Sequence, residues 1–318
     1  MIIESTVAPG TTEHVVKPIL EEGSSLQCGA DFHLAFSYER VMPGKLLAYI
    51  TDFPRVVGGI DQQSTRRAVA LYKTIVRKEI TPASVLTAEL AKTMENAYRD
   101  VNIAFANEMA RICETMGVDV YEIRELMNAR HDRHMHLAGA GVGGHCLPKD
   151  PWLLKFGVDT YGASPVDLRM IALAREINDR MPLHLADMAA GALAGQGVDL
   201  NGAKVAVLGV AYLEDSDDTR NTPATAVIDA LQEKCASVVA HDPYVRYLDG
   251  YELTRDLQMA LAGADAAVIV TKHRHYFDLD LEWLRETMRT PVLIDGRNVF
   301  DATVVRDAGF TYRAIGKG

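Results

Sequence analysis

The pattern of apolar and polar positions divides the chain into three regions. In residues 1–80, short predicted strands at 2–3, 33–36 and 55–57, each consisting mainly of apolar residues, alternate with segments of helical period. The longest of these segments extends from Gln62 to about Val76. The turn at 8–12 is predicted to cap a helix that begins near Glu13. Alternating strands and helices indicate an α/β fold, and this region accounts for part of a Rossmann-like domain.

Residues 81–195 contain two long segments and one short segment of helical period. Apolar residues recur every three or four positions from 84 to 116, where Gly117 ends the pattern. A shorter helix is predicted at 119–128 and a second long one at 165–193, interrupted only by Pro182. Helices of this length usually pack on one another or on a second subunit. The pattern therefore predicts a central all-helical dimerisation domain and a homodimer.

The alternation returns in residues 196–318. A predicted strand at 204–209 ends in Gly209, and further strands are predicted at 237–240, 266–271 and 292–295, with a helix at 222–234. Continuous apolar runs of this kind are typical of buried parallel strands. We predict a nearly complete C-terminal Rossmann-like domain with a doubly wound sheet. The segment Gly209-Val-Ala-Tyr212 lacks the full GxGxxG of a dinucleotide site.

Composition narrows the classes of function. The chain has 318 residues and a formal net charge of −10, which argues against a nucleic-acid partner but not against a small anionic ligand. No apolar run reaches the roughly 18 to 20 residues that span a bilayer, and the start has no signal-peptide pattern, so no membrane association is predicted. Cys28, Cys113, Cys146 and Cys235 form no CxxC pair, which favours the reducing cytoplasm over a disulfide framework.

Histidines raise the question of a metal site. Arg130, His131, His134 and His136 form a basic cluster, but their spacing matches no standard zinc motif. We predict no metal there. Two other histidines, His273 and His275, are expected at the surface.

The segment with the most chemistry surrounds Cys146. It reads Gly141-Val-Gly-Gly-His-Cys-Leu-Pro-Lys149-Asp150-Pro-Trp. Glycines let a substrate approach closely, a nearby cation favours the thiolate, and a carboxylate can position water or relay a proton. This composition makes Cys146 a candidate nucleophile rather than a loop cysteine without a role.

Four further polar residues can be interpreted either as ordinary structural residues or as functional ones. Lys92 and Asn96 are four apart on a predicted helix and share one face. They form either a solvated surface or a pair of donors to one oxyanion or water. Glu39, after the second strand, is by itself an ordinary surface residue, and Thr6 is by itself a helix cap.

Residues 143–152 carry a resemblance to a known family. Gly-Gly-His-Cys-Leu-Pro-Lys-Asp-Pro-Trp resembles the catalytic-cysteine signature of the UDP-glucose/GDP-mannose dehydrogenase family, and is most similar to its UDP-N-acetylhexosamine branch. Five other segments follow in family order, at 4–11, 37–44, 89–96, 209–220 and 295–298. The resemblance thus extends over the whole chain.

The resemblance implies a role for each matching residue. The catalytic set comprises the nucleophile Cys146, Lys92 and Asn96 for the oxyanion or water, Asp150 for proton transfer, Glu39 for thioester hydrolysis, and Thr6 near the nicotinamide and the attacking water. The substrate set comprises Arg130, reaching across a dimer, Gly143 and Lys149 of the cysteine segment, Tyr212 on uracil, and Arg297 at ribose or phosphate. Arg220 reaches toward the cofactor.

Two positions depart from the family pattern. Tyr38 stands where many members have proline, directly before Glu39. Leu213 stands where the family usually has a lysine that contacts the nucleotide, which puts ordinary UDP affinity in doubt.

The implied activity is an NAD-dependent four-electron oxidation of the C6 alcohol of a UDP-sugar to the uronic acid, through a thiohemiacetal and a thioester on the cysteine. UDP-N-acetylmannosamine is the expected substrate and UDP-glucose the alternative. The family's GxGxxG fingerprint, expected after the first strand, does not follow strand 2–3. We therefore expect residues 1–80 to be the remnant of a truncated NAD-binding domain. A catalytically silent sugar-nucleotide-binding or dimerisation module stays open as the second class.

Overall fold

A computed structural model describes residues 1–41, 46–234 and 236–318. The chain separates into two compact units: Met1–Arg99 with Lys149–Arg169, and Asp100–Pro148 with Met170–Gly318. The end of the 37–44 family segment and Cys235 lie outside the described residues. The domain boundaries predicted at 80 and 195 stay predictions.

The first unit contains a four-stranded sheet. Its strands are β1 (Ile2–Ile3), β2 (Ala35–Phe36), β3 (Arg55–Gly59) and β4 (Ile80–Ser84), in that spatial order. β1 and β2 are parallel, as are β3 and β4, whereas β2 and β3 are antiparallel. The three predicted strands are confirmed. The sequence did not predict β4, because Ile80 is its only large apolar residue and Pro82 interrupts it.

Short helices of the first unit come after β1, β2 and β3 along the chain. A π-helical turn at Thr12–Val16 continues into α1 (Lys17–Ser24), α2 spans Leu46–Asp52, and α3 spans Gln62–Tyr72. The Asp61 side chain caps α3 by accepting a hydrogen bond from Ser64 N. The predicted helix after residues 8–12 is confirmed, but Thr11 makes no side-chain cap. Thr6 does not cap it either, because the helix starts only at Thr12.

The middle of the chain is helical, as predicted. It contains α4 (Val85–Met116), α5 (Val120–Asn128), α6 (Asp150–Tyr161) and α7 (Arg169–Gly195). Helix α7 tolerates Pro182 in its interior and starts later than predicted, because residues 162–168 include Gly, Ser and Pro. Helix α6 was not predicted. It starts at Asp150 in the cysteine segment, with a proline in its first turn.

The second unit contains a six-stranded parallel sheet. Its strands are β5 (Lys204–Leu208), β6 (Ser237–His241), β7 (Leu253–Thr254), β8 (Ala266–Ile269), β9 (Val292–Asp295) and β10 (Thr311–Ala314), in the order β10-β9-β8-β5-β6-β7. Counted from β5, this is the 3-2-1-4-5-6 order of a dinucleotide-type α/β fold. Its helices are α8 (Pro223–Glu233), α9 (Leu257–Leu261), α10 (Leu281–Thr287) and α11 (Ala302–Asp307). The predicted doubly wound sheet is thereby confirmed.

Buried residues of the central strands form the core of the second unit. Every residue of β8 and β9 is buried, as are four of the five in β5. Such strands appear in the sequence as continuous apolar runs, which explains why they were predicted. Among the described residues, no helix is long and apolar enough to cross a membrane.

Candidate active site

The predicted site residues are divided between the two units. The first unit holds Thr6, Glu39, Lys92, Asn96, Lys149 and Asp150, and the second holds Arg130, Gly143, Cys146, Tyr212, Arg220 and Arg297.

Lys92 and Glu39 meet in the first unit. The Lys92 side chain is only 8% exposed, its Nζ donates to the Glu39 carbonyl at 3.0 Å, and it lies 3.7 Å from Glu39 Oε1. Glu39 itself follows β2 and stays partly exposed, and its Oε2 accepts from Val41 N. The buried Lys92 ammonium of α4 thus lies beside the partly exposed Glu39 carboxylate of the segment after β2. This excludes the reading of Lys92 as a solvated helix face.

Tyr38 is part of this arrangement. Its ring is buried, with the Lys92 ammonium 5.5 Å from the ring centroid and Arg40 donating to its hydroxyl at 3.0 Å. Burial, reinforced by the negative charge of Glu95, raises the pKa of Tyr38 to about 12. The residue that departs from the family pattern therefore supports Lys92 by a cation–π contact.

Asn96, one turn further along α4, binds Asp150. Asn96 Nδ2 donates to Asp150 Oδ2 at 2.5 Å. Asp150 is fully buried in the first turn of α6, and Lys149 Nζ lies 3.1 Å from its Oδ1. Within the described residues Oδ1 has no partner of good hydrogen-bond geometry. One carboxylate oxygen is therefore fixed by the amide, and the other is held beside a cation.

Glu89, for which the sequence predicted no role, binds the turn after Thr6 through its carboxylate. Its buried carboxylate accepts from Gly10 N at 2.7 Å, from Thr12 N at 2.9 Å and from the Thr12 hydroxyl at 2.6 Å. These bonds supply the N-terminal cap that Thr11 lacks. Glu89 is far from the turn in sequence, so no local signal points to this pairing.

Cys146 lies exposed in an irregular loop of the second unit. Four positions of this loop are tied to their surroundings. Gly139 N donates to Asn107 Oδ1, Ala140 N to the Gly296 carbonyl, and Gly144 N to the Arg220 carbonyl; Arg297 Nη2 donates to the Gly141 carbonyl. The backbone leading to the thiol is therefore anchored rather than loose.

Close contacts explain the glycines of this loop. A Cβ on Gly143 would lie 2.6 Å from Tyr212 Cβ and 2.7 Å from the Asn221 carbonyl oxygen. Gly144 has φ +89 and faces the Tyr212 ring. Gly139 to Gly144 also has the spacing GxGxxG, but it follows no strand and opens no helix. Packing against Arg297 accounts for Gly139, packing against Pro182 and Pro223 for Gly141, and packing against Tyr212 for Gly143 and Gly144.

The three arginines that were predicted as site residues all have polar partners within the second unit. Arg297 donates from Nε to the Val270 carbonyl at 2.8 Å as well as to Gly141. Arg220 forms a bidentate pair with Asp218, which raises the pKa of Arg220. Arg130 pairs with Asp132 on an exposed turn. Their contacts with nucleotide or cofactor, like that of Tyr212 with uracil, stay predictions.

A buried pair, Asp242 after β6 and His273 after β8, packs against the loop that follows β5. Asp242 Oδ2 accepts from Val210 N at 2.7 Å, from Ala211 N at 3.1 Å and from His273 Nε2 at 3.0 Å. Burial alone would raise the pKa of Asp242, but the hydrogen bonds from His273 and the backbone lower it to about 2. The prediction of His273 at the surface is wrong, because it is fully buried against Asp242. His275 is exposed, as predicted.

This pair bears on which ligand the second sheet can hold. In a dinucleotide site, the amides of the first strand–helix loop bind pyrophosphate. Here the backbone amides of Val210 and Ala211 already donate hydrogen bonds to the Asp242 carboxylate. These two amides are therefore not free to bind phosphate, as the corresponding amides of a dinucleotide site do. Among the residues that the structure describes, no group of three or more His, Cys, Asp or Glu is placed to hold a metal ion.

Comparison with known proteins gives three consecutive family matches. The UDP-glucose/GDP-mannose dehydrogenase family's NAD binding domain matches residues 1–76, its central domain residues 86–180, and its UDP binding domain residues 206–302. The expectation that most of the first domain is missing is not shown by these matches and stays a prediction.

Individual relatives extend over the whole chain. The UDP-N-acetyl-D-mannosamine dehydrogenase of Pyrococcus horikoshii is 40% identical, covering 100% of this chain and 72% of its own, and its structure gives a TM-score of 0.92. An NDP-N-acetyl-D-galactosaminuronic acid dehydrogenase from Methanosarcina mazei is 41% identical, covering 99% and 69%, with a TM-score of 0.94. A UDP-glucose dehydrogenase from Pyrobaculum islandicum is 26% identical, covering 100% and 70%, with a TM-score of 0.85.

Proposed function

Because this chain belongs to the UDP-glucose/GDP-mannose dehydrogenase family, we propose that it oxidises the C6 alcohol of UDP-N-acetylmannosamine to the uronic acid. The observation that carries the choice of substrate is the 40% identity, over the whole chain, to a dehydrogenase of that sugar nucleotide. The Methanosarcina mazei relative, which is named for an NDP-N-acetyl-D-galactosaminuronic acid, makes a nucleotide-linked N-acetylgalactosamine the second candidate. UDP-glucose stays the alternative from outside the N-acetylhexosamine branch, and its relative is only 26% identical.

NAD is proposed to bind to the first unit, whose residues 1–76 match the family's NAD binding domain. Thr6 comes shortly after the carboxyl end of β1, the edge at which open α/β sheets bind their ligands. Thr6 would lie near the nicotinamide, and Arg220 is the second residue proposed to contact the cofactor. When bound, NAD⁺ takes up a hydride in each of two oxidations, alcohol to aldehyde and thiohemiacetal to thioester.

Cys146 is proposed to carry the sugar between the two oxidations. Its sulfur adds to the C6 aldehyde, and the thiol proton goes to the new alkoxide, giving a thiohemiacetal. After the second oxidation, water attacks the thioester carbonyl, the C–S bond breaks, and the sulfur leaves with a proton to restore the thiol. An exposed thiol in an anchored, glycine-rich loop supports this role.

The polar residues of the first unit are proposed to handle charge and protons. The buried Lys92 ammonium and the Asn96 amide stabilise the oxyanion. Asp150, fixed by Asn96 and beside Lys149, accepts or returns protons. Glu39 and Thr6 position the water that hydrolyses the thioester.

The nucleotide is proposed to lie in the second unit. Tyr212 is proposed to stack on uracil, Arg297 to contact ribose or phosphate, and Gly143 to let the sugar approach closely. Lys149, in the first unit, is proposed as a further substrate-binding residue.

The three-part domain division at 1–80, 81–195 and 196–318 is also a proposal. A reducing cytoplasm is proposed because Cys28, Cys113 and Cys146 are thiols.

The test is stoichiometry with a panel of sugar nucleotides. Purified protein is incubated with NAD⁺ and UDP-N-acetylmannosamine, UDP-N-acetylgalactosamine or UDP-glucose, and NADH and uronic acid are both measured. We expect two NADH per acid, and a kcat/KM for UDP-N-acetylmannosamine at least about tenfold above that for UDP-glucose. Preference for UDP-glucose would overturn the substrate assignment. Specific binding of UDP-sugar without NADH formation would instead favour the silent module.

A homodimer is proposed through the second-unit part of α4. Phe105, Ile112 and Met116 are 44%, 50% and 71% exposed and lie on one face, seven and four residues apart. Exposed apolar residues in a row on a helix indicate a covered surface. In such a dimer, Arg130 of one subunit is proposed to reach the sugar nucleotide of the other.

Charge on this face is expected to separate the subunits. Light scattering of the parent should give twice 34.9 kDa, and the variant Phe105→Glu/Ile112→Glu should give the monomer mass because two buried charges oppose association. Tyr247→Glu, at a residue 73% exposed elsewhere in the second unit, is the control and should remain dimeric. A parent that is monomeric at micromolar concentration would refute the dimer.

A further inference from the structure

We propose that Asp100, Asn178 and Asn107 form a directional hydrogen-bond relay that positions the cysteine loop, with Asn107 as its terminal positioning residue. The proposal rests on the proposed role of Cys146. All three side chains are at most 1% exposed. Asp100 and Asn107 are seven residues apart on α4 and so share one face, and Asn178 lies on α7.

The relay runs through four hydrogen bonds. Asn178 Nδ2 donates to Asp100 Oδ1 at 2.8 Å and to the Asp100 carbonyl at 3.0 Å. Asn107 Nδ2 donates to Asn178 Oδ1 at 2.9 Å. Asn107 Oδ1 accepts from Gly139 N at 2.9 Å. Gly139 is seven residues before Cys146 and opens the anchored part of the loop.

The direction of this relay follows from Asp100. Both Asp100 atoms that face Asn178 are acceptors, so Asn178 must present its NH₂ group to them and its oxygen to Asn107. Asn107 must then present its NH₂ group to Asn178, which leaves its oxygen for Gly139. Burial raises the pKa of Asp100. A proton on the carboxyl would go to Oδ2, so Oδ1 stays an acceptor and the direction is preserved.

Stability alone does not account for this polar cluster. Arg175 Nη1 donates to Asp100 Oδ1 at 2.6 Å, yet Asp100 Oδ2 and Arg175 Nε are buried without a hydrogen-bond partner among the described residues. A buried ion pair that is incompletely satisfied is often no more stable than an apolar replacement. A role in fixing one geometry is the better explanation, and that geometry ends at the cysteine loop.

The test begins with Asn107→Ala. We expect kcat to fall about tenfold to a hundredfold, with KM for the sugar nucleotide within twofold, because a small displacement of a reacting group affects turnover more than binding. The matched control is His184→Gln. His184 also joins α7 to α4, through Glu114 Oε2 at 2.7 Å, and within the described part of the chain this bond lies outside the relay to Gly139. Its kcat should stay within twofold of the parent.

Asn107→Asp supplies a readout that a merely structural role would not give. A protonated aspartic acid has one donor and one acceptor, as asparagine has here, whereas the carboxylate offers only acceptors. Burial raises the pKa of such a carboxyl, so its acid form persists above the usual range. The ratio of variant to parent kcat should therefore be near one at low pH and fall about tenfold as pH rises through that pKa. For Asn107→Ala the same ratio should not change with pH.

A flat ratio for Asn107→Asp, or an Asn107→Ala kcat within threefold of the parent, would overturn the relay. If Asn107→Ala does not fold, the pH dependence of Asn107→Asp decides alone. Hydrogen exchange of the Gly139 amide, followed without substrate, separates this proposal from the proposed function. Faster exchange in Asn107→Ala but not in His184→Gln supports the relay even if the parent fails to oxidise UDP-N-acetylmannosamine, whereas unchanged exchange overturns it.

Discussion

Cys146→Ser is expected to abolish formation of the uronic acid, lowering its rate on the order of a thousandfold or more. The second oxidation requires a sulfur adduct of the aldehyde, and a serine hydroxyl is a far weaker nucleophile than a thiol at neutral pH. The first oxidation requires only hydride transfer and a base. Some reversible aldehyde chemistry should therefore survive.

Because Cys146 is exposed, its replacement should not change folding. The free energy of unfolding of Cys146→Ser is expected within about 0.5 kcal/mol of the parent. NADH and uronic acid should be followed separately with UDP-N-acetylmannosamine, since only the acid reports the sulfur step.

The other cysteines provide the controls. Burial raises the pKa of the Cys28 and Cys113 thiols, which makes both poorer nucleophiles. Cys28→Ser, Cys113→Ala and Cys235→Ser should each leave acid formation within a few-fold of the parent. Acid production by Cys146→Ser at close to the parent rate would show that the cysteine assignment is wrong.

Sequence patterns were sufficient where burial is continuous or periodic. The strands β5, β6, β8 and β9 are short apolar runs, and α4 has regular helical spacing over 32 residues. In contrast, β4 contains Pro82 and little apolar area, and α6 starts within a segment whose glycines and prolines obscure a helix. Both lie where local composition gives no periodic signal.

The residues that sequence reasoning missed depend on distant partners. Glu89 caps a turn 77 to 79 residues before it, and Asn107 binds the Gly139 amide 32 residues after it. His273 has polar neighbours in sequence, but its partner Asp242 lies 31 residues earlier. A polar residue in a helical or loop pattern shows its chemistry, but only the fold shows which group it meets.

Replacing Lys92 with methionine is expected to lower kcat by about a hundredfold to a thousandfold, the usual consequence of losing one oxyanion donor. Methionine fills a similar volume beside Tyr38, so the change removes the ammonium without opening a cavity. Glu39 loses its cation but is partly exposed, so water can solvate its carboxylate. The protein should therefore remain folded.

The kinetic pattern distinguishes charge stabilisation from substrate binding. If the ammonium acts mainly in the transition state, kcat and kcat/KM should fall together and KM should change little. Lys155→Met is the matched control, because Lys155 pairs with Asp159 on the surface of α6 and surface pairs contribute little. Its kcat should equal that of the parent within experimental error. A Lys92→Met enzyme that keeps kcat within threefold, or that loses only substrate affinity, would remove Lys92 from the catalytic set and leave its bond to the Glu39 carbonyl as a structural contact of the first unit.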